Sequence, residues 1–358
     1  MLLFCVANLQ FYFVVKLSFA PHILKFKRPF SIAHGSRDFT PVFFTKLEHK
    51  GVVGYGEASM PPYLGENHET VLEFLKKAET VLYKFSDPIN IETILCEIDN
   101  IETGNNAAKA SIDIALNDLN GKIQNIPCHK MFGADSTKNI FTAYTIPIDS
   151  DSGIAERIEE ARDYNILKVK LGSEEDKKII KEIRKHTDKE FFVDVNEGWK
   201  DKHFALEMIL WLSEQKCLFA EQPMPKEQID DIAWLSEKSP IPVIADEAVK
   251  RLSDIEKIKE VYSGINIKLM KCTGLHEANK MISKARKFGM KIMLGCMSES
   301  TCAVSAAAQL APLADWIDLD GPLLIKEDFF DGIKFADGKI ILNDMPGIGV
   351  TPVSSLFK

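Results

Sequence analysis

Residues 166–196 read ILKVKLGSEEDKKIIKEIRKHTDKEFFVDVN, and the pattern inside them decides the fold. A short apolar run, ILKVKL (166–171), leads into a charged stretch with apolar positions at helical spacing. A second apolar run, FFVDVN (191–196), follows it. Strand, amphipathic helix and strand in this order make the unit of a parallel sheet with crossover helices. The unit repeats in both directions. FTAYTI (141–146) lies upstream, and CLFAEQP (217–223), IPVIADE (241–247), INIKLMK (265–271), KIMLGC (291–296) and DWIDLD (315–320) lie downstream. Most gaps hold a helix-like segment such as LHEANKMISKARKFG. Eight runs within residues 138–320 suit an α/β fold of the closed (β/α) TIM-barrel type, modified to seven or eight units, better than an open doubly wound sheet.

The flanks have another texture. Residues 16–27, 39–49 and 52–58 are β-rich, with a turn at Lys50-Gly51, and Ser31 to Asp38 reads as a loop. Apolar positions at helical spacing then run from about Asn67 to Phe132. This predicts an α+β capping domain over residues 1–137, completed by a return segment at 321–358, around a barrel at 138–320. Residues 1–15 carry no charge, lack the basic start and cleavage site of a signal peptide, and are too few to span a bilayer. They read as an upstream extension or an extra edge strand, with a targeting role as the alternative.

Composition narrows the function classes. A formal net charge of -8 offers no basic face for nucleic acid, and nothing in the sequence calls for a membrane partner. The seven cysteines are scattered, without zinc-site or disulfide spacing, which suits a reducing compartment such as the cytoplasm. A small-molecule substrate is expected, and a homo-oligomer is compatible with the chain.

Barrel strands are buried, yet five consecutive ones carry ionisable groups near their C-terminal ends. These are Lys168 and Lys170, Asp194, Glu221, Asp246 and Lys268, with spacings from Lys170 of 24, 27, 25 and 22 residues. Any one of them alone is as well explained as a solvated strand end. In register on five strands they converge at the barrel mouth, where barrel active sites lie. Three carboxylates are hard oxygen ligands for one Mg²⁺ or Mn²⁺ per subunit, and no His or Cys joins them to suggest zinc. A metal on a substrate carboxylate stabilises the charge left when the α-proton departs, and a lysine can take that proton. Burial and the cationic Lys168 beside it would lower the pKa of Lys170 towards this task. Lys268 stands across the barrel from Lys170. Two bases on opposite faces of one carbon favour racemisation or epimerisation, although elimination or cycloisomerisation could use the same pair.

At these residues the chain resembles the enolase superfamily, muconate-lactonizing subgroup, and within it the dipeptide epimerases of the L-Ala-D/L-Glu type. The resemblance spans nearly the whole chain. The K-x-K motif reads Lys168-Val169-Lys170, the metal strands read VDVN, AEQP and ADE, and the second-base strand reads NIKLMK. It implies Lys170 and Lys268 as acid/base catalysts supported by Lys168, with Mg²⁺ on Asp194, Glu221 and Asp246. Asp318-Leu319-Asp320 resembles the D-x-D that binds the α-ammonium of a dipeptide. GCMSES (295–300) resembles the family's seventh-strand segment lining the substrate carboxylate region, which implies a backbone contact at Ser298, and Thr145 in AYT matches a family second-strand threonine. The loop around Met60, Pro61, Pro62 and Tyr63 would form a second wall. In one respect the chain departs from the pattern. The arginine expected in the first capping loop falls near Gly35, and Arg37, two residues on, would replace it. The implied activity is epimerisation at the C-terminal residue of a dipeptide such as L-Ala-D/L-Glu, serving cell-wall peptide recycling. An N-acylamino-acid racemase or o-succinylbenzoate synthase would not need Asp318 and Asp320. A sugar-acid dehydratase would carry a histidine where Cys296, Met297 and Ser298 stand. A non-catalytic barrel scaffold should have lost a ligand or a base, and none is missing.

Overall fold

The computed structural model describes residues 14–32, 35–60, 64–86 and 90–357. The expectation for residues 1–15 therefore lies, apart from Val14 and Val15, outside the described residues, as do Pro61, Pro62 and Tyr63. Strands β1 (Lys16–Ile32), β2 (Gly35–His49) and β3 (Val52–Ser59) form an antiparallel sheet. The loop expected over Ser31 to Asp38 is instead the end of a hairpin. The β1–β2 register shifts between Lys25 and Phe30, and pairing resumes as Phe30 with Arg37, Ser31 with Ser36 and Ile32 with Gly35. A bulge of this kind restores backbone pairing whatever the side chains' polarity, so a polar sequence gives no warning of it.

Helices α1 (His68–Leu82), α2 (Ile91–Asp99) and α3 (Asn106–Gln124) complete the cap. α3 lies so close to β3 that a Cβ on Gly56 would sit 1.9 Å from the Ser111 carbonyl oxygen, and one on Gly54 2.1 Å from that of Ala115. Only glycine permits this approach.

After a short strand β4 (Ile140–Phe141), eight parallel strands follow in sequential spatial order. They are β5 (Tyr144–Ile146), β6 (Ile166–Lys170), β7 (Glu190–Asp194), β8 (Cys217–Glu221), β9 (Val243–Ala245), β10 (Gly264–Lys268), β11 (Lys291–Gly295) and β12 (Trp316–Asp318). The Ala143 N–H donates to the Ile317 carbonyl at 2.9 Å, bringing the last strand back to the first. The expected barrel is present. Its helices after β9 (Ile255–Ile258) and after β12 (Gly321–Leu324) are reduced to about one turn.

The barrel interior is plugged by its own small core. Phe192 stacks on Phe219 at 4.3 Å, and Phe219 packs on Trp316 at 4.4 Å, with Ala143, Ile244 and Met293 around them. Layers of this kind make a barrel centre a solid core, so the open cavity is confined to the mouth. The Lys168 ammonium lies 5.8 Å above the Phe192 ring, on that floor.

Cap side chains also terminate barrel helices. Glu57 on β3 accepts from the Ser300 and Ala303 N–H groups at 3.0 and 3.2 Å, at the start of helix Thr301–Ala308. Asp113 on α3 accepts from Leu275 and His276 at the start of helix Leu275–Lys287. Carboxylates suit the positive end of a helix dipole. Burial nevertheless pushes each up to about 7. The last turn of β3 is thereby held beside the loop after β11, where the Ser59 hydroxyl donates to the Ser298 carbonyl at 3.0 Å.

Candidate active site

Register does most of the assembly. Lys170 pairs with Asp194 across β6 and β7, and Asp194 with Glu221 across β7 and β8. Lys268, Gly295 and Asp318 form a second row across β10, β11 and β12. Asp246 follows directly on β9. One carboxylate oxygen each from Asp194, Glu221 and Asp246 lies within 4.8 Å of the others, and all three residues are buried. Glu221 Oε2 is buried and accepts no hydrogen bond; its charge is met by the Lys168 ammonium at 3.1 Å. Hard oxygens gathered with spare lone pairs fit a divalent cation such as Mg²⁺.

The lysines reach this triad from different sides. Lys170 Nζ lies 2.6 Å from Asp194 Oδ2, and Lys268 Nζ lies 2.7 Å from Asp246 Oδ2. Lys168 is central, 3.0 Å from Asp194 Oδ2, 3.1 Å from Glu221 Oε2 and 2.6 Å from Asp318 Oδ2. Burial opposes its charge, but Asp318, Glu221 and Asp194 outweigh burial and hold its pKa well above the usual lysine value. Lys168 is thus a fixed cation sharing one oxygen with Lys170, the neighbour expected from K-x-K. Among the carboxylates, burial raises Asp194, but Lys170, Lys168 and Lys268 overcome it and keep the group below the ordinary range. Glu221 goes the other way, to about 7, through burial and then the adjacent Asp194.

Asp318 and Asp320 both line the cavity, with Thr145, Ser298 and Arg37. Asp320 is not within the strand, as the sequence reading had it. β12 ends at Asp318, and Asp320 precedes the turn Gly321–Leu324. The alternation survives one step further because the Leu319 N–H is held by the Thr142 hydroxyl at 2.9 Å. Thr145 donates its backbone N–H to Asp320 Oδ2 at 2.8 Å. Burial, then Asp318, pushes Asp320 up to about 6. Asp318 Oδ1 is buried with no hydrogen-bond partner, so the pair presents unspent acceptor capacity. Arg37 reaches the cavity from the hairpin tip, beside Phe30. Met60 is buried away from the cavity, which Leu64 lines from that side.

Several contributors escaped the sequence reading. Asn196, held at φ 46°, donates its N–H to Asp194 Oδ1 at 3.2 Å and contacts Lys170 Nζ through Oδ1 at 3.1 Å. Gln222 ties down the loop after β9, accepting from the Asp246 and Ala248 N–H groups at 2.9 and 3.2 Å. Lys271 binds the Asp246 carboxylate and, at 2.7 Å, its carbonyl. Glu247 lines the cavity and is pushed up to about 8 by burial and then by Asp246 and Asp194. Period-two alternation could have found Asn266, two residues before Lys268, which donates to Glu221 Oε1 at 2.5 Å.

Residues 16–133 match the family model for the mandelate racemase/muconate lactonizing enzyme N-terminal domain, and residues 153–355 match the enolase C-terminal domain-like model. The chain belongs to the mandelate racemase/muconate lactonizing enzyme family of the enolase superfamily. A similar member is the L-Ala-D/L-Glu epimerase of Bacteroides thetaiotaomicron, 50% identical over 95% of this chain and 88% of that one. The L-Ala-D/L-amino acid epimerase of a Maribacter species is 35% identical over 94% of this chain and 99% of its own. Among solved structures of this superfamily, the dipeptide epimerase of Cytophaga hutchinsonii, in complex with Mg and D-Ala-L-Val, superposes with a TM-score of 0.90 at 25% identity. That match covers 96% of this chain and 97% of the other. No described helix is long and apolar enough to cross a membrane.

Proposed function

We propose that this chain is a Mg²⁺-dependent dipeptide epimerase, an isomerase that inverts the α-carbon of the C-terminal residue of L-Ala-D/L-Glu or a related dipeptide. The observation that carries the reading is the placement of Lys170 and Lys268, from β6 and β10, on one buried acidic triad beside an unspent Asp318–Asp320 pair. The family relatives named above support it. Asp194, Glu221 and Asp246 would hold the metal. Bound Mg²⁺ supplies a Lewis acid that stabilises negative charge on a substrate carboxylate as its α-proton leaves.

The chain's own groups do the rest. As a free amine, one lysine accepts the α-proton: the C–H bond breaks and an N–H bond forms. The opposite lysine, as an ammonium, returns a proton to the other face, and the configuration is inverted. In the reverse direction the two exchange roles, in line with the lysine bases of enolase-type sites. Lys168 keeps a positive charge beside Asp194 and Glu221 and orients Asp318. Asp318 Oδ1 and Asp320 receive the substrate ammonium, and Thr145 fixes Asp320. Arg37, at the mouth, faces the side chain of the second residue, and Ser298 borders the substrate carboxylate. Residues 1–137 and 321–358 act as the cap that shapes specificity, and 138–320 as the catalytic barrel.

A substrate panel tests this. Asp320→Asn should lower kcat/KM for free dipeptides by about 30-fold while sparing N-acylated analogues, since a charge-assisted ammonium contact is lost. Arg37→Gln should cost about tenfold for L-Ala-D-Glu and little for L-Ala-D-Leu. Equal losses across each pair would assign these residues elsewhere, and full activity on N-acyl substrates alone would favour the racemase alternative. We place such an activity in cell-wall peptide recycling in the cytoplasm, which the scattered spacing of the cysteines suits. Cells lacking the protein should then accumulate unepimerised L-Ala-D-Glu, and an unchanged pool would remove that role.

A further inference from the structure

Each carboxylate of the triad is gripped from behind through one oxygen. Asp194 Oδ1 accepts the Asn196 N–H at 3.2 Å, Asp246 Oδ1 takes the Lys271 ammonium, and Glu221 Oε1 accepts from Asn266 Nδ2 at 2.5 Å. The other oxygens face the site lysines. Asp194 Oδ2 is 2.6 Å from Lys170, Asp246 Oδ2 is 2.7 Å from Lys268, and Glu221 Oε2 is 3.1 Å from Lys168. Three donors on three different segments thus choose which single oxygen each acid presents.

Asn266 is the informative member because it is neutral and because it gains so little elsewhere. It is fully buried on β10, and its Oδ1 has no hydrogen-bond partner among the described residues. Leaving a buried acceptor unmade is costly. The side chain fits only because the neighbouring strand has glycine at 295. A Cβ there would lie 2.7 Å from Asn266 Oδ1 and 2.9 Å from Nδ2. A leucine would fill the same interior without the orphaned acceptor. The bond to Glu221 is the one return the structure gives for this arrangement.

We propose that Asn266, seated against Gly295, is a positioning residue that holds Glu221 as a one-oxygen ligand and reserves Oε2 for the divalent cation. The inference rests on the metal-dependent reading above. A glutamate free to rotate can offer both oxygens to one cation, which fills a position the substrate carboxylate needs. Mg²⁺, with its strict octahedral demand, tolerates such a change poorly.

The test is Asn266→Leu, which removes the donor without changing charge, with Gly295→Ala as a second variant that displaces the amide without deleting it. Mg²⁺ is titrated calorimetrically into metal-free protein, and the Mn²⁺-loaded forms are compared by electron paramagnetic resonance. Asn266→Leu should weaken Mg²⁺ binding by about tenfold or more, the usual range for an outer partner of a metal ligand. Gly295→Ala should weaken it in the same direction, and the Mn²⁺ spectrum should change in both while metal-free melting temperatures stay near the parent's. If one variant fails to fold, the other decides. Parent-like Mg²⁺ affinity and an unchanged Mn²⁺ spectrum in a folded variant overturn the proposal. A parent chain that binds no Mg²⁺ overturns the metal-dependent reading and this inference with it.

Discussion

Lys268→Ala is expected to reduce epimerisation of L-Ala-D-Glu by about 10³-fold or more, the scale of a lost general acid/base in a positioned site. The loss should fall on kcat, because the proposed role puts Lys268 at one face of the reacting carbon and outside the ammonium and side-chain contacts. Its ammonium is also the partner of Asp246 Oδ2 at 2.7 Å. Removing it deletes a positive charge beside a ligand carboxylate, so Mg²⁺ binding should be retained or strengthened. Retained metal affinity with lost turnover separates a missing base from a collapsed site. Turnover close to the parent's would remove Lys268 from the mechanism.

Stripping the metal is the second large effect. Chelator-treated protein should lose all measurable epimerisation and recover it on addition of Mg²⁺, with Mn²⁺ as a substitute. The triad makes this more than a formality, because it sets three acids against four lysines, Lys168, Lys170, Lys268 and Lys271, and these groups satisfy one another without a cation. Asp194 and Asp246 are held ionised by those lysines despite complete burial. The folded state is therefore expected to survive without the metal, with circular dichroism unchanged and only thermal stability shifted. Metal-independent turnover would end the scheme.

The barrel was readable from the chain because eight apolar runs recur at the spacing of βα units, five consecutive ones with ionisable groups near their C-terminal ends. Residues such as Asp194 and Glu221 are conspicuous for being charged where strands should be buried. Lys170, Asp194 and Glu221 then fall in register simply because parallel strands of similar length start together. The hairpin tip that carries Phe30 and Arg37 was not readable. Its pairing depends on a bulge, and a bulge is a backbone event with no side-chain signature. Asp320 lines the cavity although the strand ends two residues earlier, at Asp318. Asn266 and Lys271 went unread for a different cause. An asparagine in an apolar strand or a lysine just beyond one has many uses, and only the hydrogen bonds to Glu221 and Asp246 say which is in force.

The central claim is that two lysines serve opposite faces of one carbon. The measurement that reaches it most directly is α-proton exchange in D₂O with Mg²⁺, run on Lys170→Ala and Lys268→Ala with L-Ala-D-Glu and L-Ala-L-Glu. Each variant should exchange the α-proton of one diastereomer only, without inverting it, and the two variants should exchange opposite diastereomers. Exchange of the same diastereomer by both variants, or of both diastereomers by either one, would contradict the facing-lysine arrangement.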